Sequence, residues 1–321
     1  MVDVIVVGAG PSGLSCAIEA TKAGLSAIIL EKGSLVDAIR RFPTNLVWFS
    51  TPELLEIGGV PFVTSSLRPN RVDTINYYQR VCRHFSLDVR CFDAVERIRR
   101  VGPGFTVETG GRRSYEARNV VVSTGYFDHP NRLGVPGEDL PRVFHYYDEP
   151  YKYFGSNVLI VGGRNSAVEA ALDLFRHGVQ VTLVHRGDHL SEGVKYWILT
   201  DFLNRVQGNE IKALFSTSVL EIKEGNIVLQ TPYGVVEQDY DFMFVLIGFH
   251  PDVNFLRRFG IEIEPETNAP LHEGRTFETN VPGLYVAGSV VAGKNNNKIF
   301  VENGRLHGLA IVQSILSGKA R

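Results

Sequence analysis

The chain opens on a continuous apolar run, Val4, Ile5, Val6 and Val7, and then changes its period abruptly. A β-branched run without polar alternation reads as a strand buried on both faces of a parallel sheet, and so as a central strand. From Ser12 to Ala23 the small and apolar residues Leu14, Ala17, Ile18 and Ala20 recur at spacings that suit a helix lying on that sheet. A second strand is expected from Ser26 to Leu30. The same succession returns later in the chain. Val158 to Val161 predict a strand, "NSAVEAALDLFRHG" a helix, and Gln180 to Val184 the next strand. Further strands are expected at Val120 to Ser123, within "DFMFVLIGFHPD", and at Leu284 to Ala287, the last followed by a glycine turn and a terminal helix. "TINYYQRVCRHF" reads as a helix as well.

Between the first strand and the first helix stands "VGAGPSG". Gly8 suits the tight turn, Gly10 a close approach of phosphate to backbone, and Gly13 close packing of helix on strand. The helix N-terminus adds free N–H groups and a partial positive charge. Glu31 ends the second strand about 20 residues on, where this fingerprint places a carboxylate for a ribose hydroxyl. In the second unit Gly162 and Gly163 form the turn, Asn165 or Ser166 is expected to cap the helix, and Ala167 takes the place of the third glycine. Its second strand ends in His185-Arg186 instead of an acid. An arginine there accommodates a 2′-phosphate, so the second site reads as NADPH, which Gly162, Gly163, Asn165, Ser166 and Arg186 are expected to hold.

Two dinucleotide units in one chain suggest a flavin on one and a nicotinamide on the other. The Pro- and Gly-rich stretch after Thr124-Gly125 looks like a crossing between domains, and "DFMFVLIGFHPD" like the return. The fold class expected is therefore α/β, with two Rossmann-like domains. An NADPH domain at 123–244 is inserted into an FAD domain made of 1–122 and 245–321.

The 321 residues leave room for two cores. A net charge of −2 gives no broad attraction to nucleic acid or anionic membrane. No apolar run reaches the ~18 residues that span a bilayer, and the N-terminus lacks a charged leader, so a cytoplasmic protein is expected. Cys16, Cys82 and Cys91 are the three cysteines, and no two form CxxC. An odd, sparse set argues against a disulfide framework.

With both fingerprints, the Thr124-Gly125 turn, "IGFHPD" and "GLYVAGS", the chain resembles the low-molecular-weight thioredoxin reductases over essentially its whole length, but lacks their CxxC. Where that family carries an aspartate for the flavin ribityl chain, Ser289 stands here. It is similar in particular to the YpdA-type bacillithiol-disulfide reductases, through "FPTNLVWFSTPELLEIGGVPF", "TGYFDHPN", "VPGEDLPRVFHYYDEPYKYF", "GGRNSAVEAALDL" and "KIFVENGRLHG". The resemblance implies FAD, NADPH and a low-molecular-weight disulfide as electron acceptor. It also implies Gly288 and Ser289 at the ribityl end, with Phe49, Ser50 and Tyr126 as flavin neighbours. Several members carry a cysteine in the first glycine turn, at the position of Ser12, and a serine hydroxyl cannot form a mixed disulfide. Ser12 is instead expected to donate to an FAD phosphate. Cys16, one turn further on, and His307, near the terminal helix, are the remaining catalytic candidates, each weighed against an ordinary structural role. Cys82 and Cys91 read as packing residues.

Three readings follow from these residues. The first is an NADPH-dependent FAD reductase of a small disulfide. The second is a ferredoxin or flavodoxin:NADP+ oxidoreductase, which needs no cysteine. The third is an NADPH-sensing flavoprotein that binds a partner. A flavin monooxygenase is disfavoured because "PRVFHYYDEPYKY" lacks an FxGxxxH run. A homodimer or higher homo-oligomer is expected.

Overall fold

The computed structural model describes residues 1–295 and 298–319. Strand β1 (Val2–Val7) lies between β2 (Ala27–Leu30) and β6 (Ser114–Val122), parallel to both, with Val4 opposite Ala27 and Val7 opposite Val122. Val4 to Val7 are all buried, as a central strand with a layer on each face requires. Beyond β2 runs β3 (Asp88–Arg90). On the far side β5 (Gly104–Thr109) and β4 (Val95–Val101) continue the sheet antiparallel. The last three residues of β6 also pair in parallel with β15 (Leu284–Val286), which brings the seven strands together.

Helix α1 (Pro11–Lys22) packs on this sheet and against α9 (His307–Lys319). The crossing of the two helices is close: a Cβ on Gly308 would lie 2.8 Å from the Cys16 amide nitrogen. Short helices α2 (Asp37–Arg40) and α3 (Pro52–Leu55) precede α4 (Arg71–His84), whose start is a capping box between Asn70 and Asp73. Near the C-terminal end of the unit stand α7 (Val253–Arg258), capped by the Asp252 carboxylate, and α8 (Val301–Gly304).

A second parallel sheet follows the order β10 (Lys212–Leu214), β9 (Gln180–Val184), β8 (Asn157–Val161), β14 (Phe242–Val245) and β7 (Val143–Phe144). Helices α5 (Asn165–Arg176) and α6 (Tyr196–Gln207) accompany it. A separate antiparallel sheet, β11 (Ser218–Lys223), β12 (Asn226–Thr231) and β13 (Gly234–Asp239), closes one face through Ile222, Ile227 and Leu229, which share a core with Met243 and Val245. Neither antiparallel element announces itself in the sequence. In β4 only Ile98 is buried, and such thin patterns carry little signal.

The chain forms two compact units: Met1–Arg41, Leu46–His129 and Phe249–Arg321 make the first, Phe42–Asn45 and Pro130–Gly248 the second. The sequence places the crossings at 122/123 and 244/245, whereas the units divide at 129/130 and 248/249. Hydrogen bonds explain the difference. The Ser123 hydroxyl donates to the carbonyls of Val7 and Gly8, at 3.1 and 3.0 Å, and the His250 amide donates to His129 O at 2.9 Å, so residues 123–129 stay with the first unit. Leu246 donates to Val161 O at 2.8 Å and so stays with the second.

Candidate functional site

The first glycine turn has the three properties that a dinucleotide cradle needs. Gly8 adopts φ +108°, and a Cβ there would stand 2.6 Å from the Ser123 carbonyl oxygen. A Cβ on Gly13 would collide with the Gly8 carbonyl oxygen, so helix and strand approach as only glycine allows. Gly10, the N-cap of α1, has nothing within 4 Å of its missing Cβ and leaves the approach to the backbone open. Pro11 occupies the first turn, where its lack of an N–H costs nothing. Glu31 is 8% exposed, and its two oxygens accept the Ala9 N–H at 2.7 Å and the Gly33 N–H at 2.8 Å. Burial pushes this carboxyl up, against the pull of those two bonds. A carboxylate holds about four lone-pair sites, so acceptor capacity remains for ribose hydroxyls.

Other turns gather at the same place. A Cβ on Gly288, at φ +74°, would lie 2.6 Å from the Ser12 Oγ, and one on Gly304 would lie 2.9 Å from the same atom. A Cβ on Gly125 would come to 3.5 Å from the Ser289 Oγ. The turns after β1, β6 and β15 thus meet at the carboxyl ends of parallel strands, where ligands of open α/β sheets bind. Phe49, Ser50 and Tyr126 are half-buried in this unit. Ser50 hydrogen-bonds Glu302 of α8, and the other Glu302 carboxylate oxygen is buried without a hydrogen-bond partner. Glu302 escapes sequence reasoning because "KIFVENG" is matched as a block, while the use of its acid depends on a contact 252 positions away.

His307 lies buried with its ring stacked on Phe277, centroids 4.0 Å apart, and its Nδ1 accepts the Gly288 N–H at 3.1 Å. Burial, with a smaller contribution from His272, pushes its pKa down to about 4. At neutral pH it is an uncharged acceptor that holds the Gly288 turn. Cys16 is buried against α9 and its thiol is pushed up to about 12 by burial. Cys82 is buried as well and also pushed to about 12; Cys91, half-buried, is raised in the same direction. High thiol pKa values suppress the nucleophilic thiolate.

In the second unit a Cβ on Gly162 would lie 2.6 Å from both the Ala167 Cβ and the Leu246 carbonyl oxygen, and one on Gly163 would run into the His185 ring. The small side chain of Ala167 thus serves the close packing of helix on strand. Asn165 does not cap α5. The N-cap is Arg164, without a side-chain cap bond, because the Asn165 amide is spent on the loop before α6: it donates to Gly193 O at 3.1 Å and accepts the Lys195 N–H at 2.9 Å. Ser166 is exposed. Arg186 is exposed at the end of β9, with no ion pair to a described residue. Its neighbour His185 is held below its usual range by burial first and by the Arg186 charge second. Arg164, also exposed, adds a second guanidinium at this turn that the glycine fingerprint alone does not predict.

A strand, a glycine turn and an open helix N-terminus, built once in each of two compact units, define a protein with two dinucleotide folds. The chain belongs to the pyridine nucleotide-disulphide oxidoreductase family, whose model matches residues 5–288. It is 41% identical to bacilliredoxin reductase Bdr of Bacillus subtilis over 313 residues, 97% of this chain and 96% of that protein. The solved structure of bacillithiol disulfide reductase Bdr (YpdA) from Bacillus cereus superposes with a TM-score of 0.96 at 41% identity, covering 99% of each chain. A ferredoxin–NADP reductase of Ignicoccus hospitalis is 23% identical over 99% of both chains. Membership makes the chain a reductase that works with FAD and NADPH. Among the described residues no helix is long and apolar enough to cross a membrane, and no group of side chains could hold a metal ion.

Proposed function

We propose that the chain is an NADPH-consuming FAD reductase of a low-molecular-weight disulfide, with bacillithiol disulfide as acceptor. The observation that carries this is the 41% identity to Bdr along nearly the full length of both chains. The first unit is the FAD domain. Gly8, Gly10, Gly13 and the N-terminus of α1 receive the pyrophosphate, and Ser12 donates its hydroxyl to a phosphate oxygen. Glu31 accepts from the ribose, and Gly288 and Ser289 line the ribityl end, with Phe49, Ser50 and Tyr126 beside the ring system. The second unit is the NADPH domain. There Gly162, Gly163 and Ser166 border the pyrophosphate, Asn165 shapes the adjoining loop, and Arg186 takes the 2′-phosphate.

Bound flavin supplies the exchange between a hydride and electrons released in pairs or singly. The chain's own part is to hold the cofactors and to keep His307 neutral beneath the Gly288 turn. The location proposed is cytoplasmic. A homodimer or larger homo-oligomer is supported by Leu309 and Leu316, 52% and 41% exposed along α9.

A second reading, reduction of ferredoxin or flavodoxin, is favoured by one observation: Ser12 offers no thiol, and burial raises the pKa of all three cysteines. The test is anaerobic. Protein reduced with NADPH is mixed separately with bacillithiol disulfide, ferredoxin and flavodoxin, and flavin absorbance is followed. Reoxidation by the disulfide is expected. Reoxidation by the electron-transfer proteins alone replaces this reading with the second, and no reoxidation by any of the three leaves the NADPH-sensing module.

A further inference from the structure

The first unit carries a cleft of about 880 Å³ that shares no residue with the glycine turns. Its walls come from the segments ending at His129 and beginning at Phe249, from α7, and from the turn at Asn268. That volume falls in the range of small-molecule sites, roughly 300–1,000 Å³. The charge balance is lopsided. Asp252 is the one acid among the lining residues, and it is already engaged: Oδ1 accepts the Phe255 N–H at 2.9 Å, and Oδ2 faces the His129 Nε2 at 3.5 Å. Arg257 and Arg258, both exposed, make no ion pair with a described residue. Arg258 lies over the Phe255 ring, with its Cζ 5.4 Å from the ring centroid. His250 is tied down at the wall of the cleft, its Nδ1 donating to Pro251 O at 2.9 Å. Asn254 and Asn268 add side-chain amides to the same walls.

We propose that this cleft is a binding site for a small oxyanion carrying two or more negative charges, a phosphomonoester or a dicarboxylate. Two guanidiniums without an ion pair to a described residue present planar N–H forks that match either group, and the one carboxylate among the lining residues, Asp252, is occupied by a helix cap and an imidazole. His129 and His250 sit on the two segments where the chain passes between its units, already joined by the His250 N–H to His129 O bond at 2.9 Å. A bound dianion reaches both segments and α7 at once.

The test uses FAD-loaded full-length protein in a zwitterionic buffer of low ionic strength, with NADP+ saturating so that the cofactor's phosphate sites are filled. Inorganic phosphate and malate are titrated separately by calorimetry. Saturable one-to-one binding of at least one is expected, and the Arg257→Gln/Arg258→Gln double variant should weaken it at least tenfold while keeping its FAD. Arg257→Lys/Arg258→Lys, which retains charge and loses the forks, should weaken it severalfold and covers the case in which the neutral variant fails to fold. Binding of phosphate alone assigns the phosphomonoester, of malate alone the dicarboxylate, and of both the shared oxyanion chemistry. No saturable binding of either, or unchanged affinity in both double variants, overturns the proposal.

Discussion

At the scale of single residues, two side chains set measurable behaviour. His307 titrates near 4 in the folded protein, against about 6.5 when unfolded. The unfolded histidine therefore binds a proton that the folded one refuses, so stability is fully present above about 6.5 and is lost as pH falls from there towards 4. The loss amounts to up to about 3 kcal/mol. Denaturant unfolding at pH 7 and pH 4 should show a smaller drop in His307→Asn than in the wild type by about that much, and an equal drop in both would refute the assignment. Arg186 is the other case. Its free guanidinium should hold the 2′-phosphate by charge-assisted bonds of roughly 1.5–3 kcal/mol, so Arg186→Ala is expected to raise KM for NADPH by about 10- to 100-fold. KM for NADH should hardly move. Equal losses for both cofactors would show that Arg186 does not read the phosphate.

At the scale of elements, the β1–turn–α1 unit gives two of its glycines opposite surroundings. Gly13 has no room for a side chain, since its Cβ would meet the Gly8 carbonyl and lie 2.5 Å from the Ser123 Oγ. Gly10 faces open space. Gly13→Ala is thus expected to lower the melting temperature of FAD-stripped protein by several degrees, through overpacking worth about 1–3 kcal/mol. Gly10→Ala should leave that melting temperature unchanged and still retain less FAD on purification. A Gly10→Ala protein with full flavin content would mean that no phosphate passes this position.

At the scale of the whole molecule, the sequence holds no CxxC pair, and burial raises the pKa of all three thiols. Cys16 is held under α9, Cys82 lies inside α4's packing face, and neither belongs to a CxxC pair. A Cys16→Ser, Cys82→Ser, Cys91→Ser variant should therefore bleach its flavin with NADPH at a rate within about twofold of the wild type. Stopped-flow absorbance reads this directly. A variant that keeps FAD but is no longer bleached would place a cysteine in the reductive half-reaction.

What the sequence determined by itself is local. The β-branched runs at Val4 to Val7 and Val158 to Val161, the glycines that follow them and the alternation of strand and helix establish two dinucleotide units, because each signal is complete within about 30 residues. What the tertiary structure decided involves partners far apart in the chain. Asn165 looks like a helix cap until the loop at Gly193 and Lys195 claims its amide. Ser12 acquires its surroundings from Gly288 and Gly304, Glu302 from Ser50, and the cleft beside α7 from His129, more than a hundred positions before it. Such contacts are set by which strands pair and how helices cross, and a pattern that repeats every two or every 3.6 residues carries no record of either.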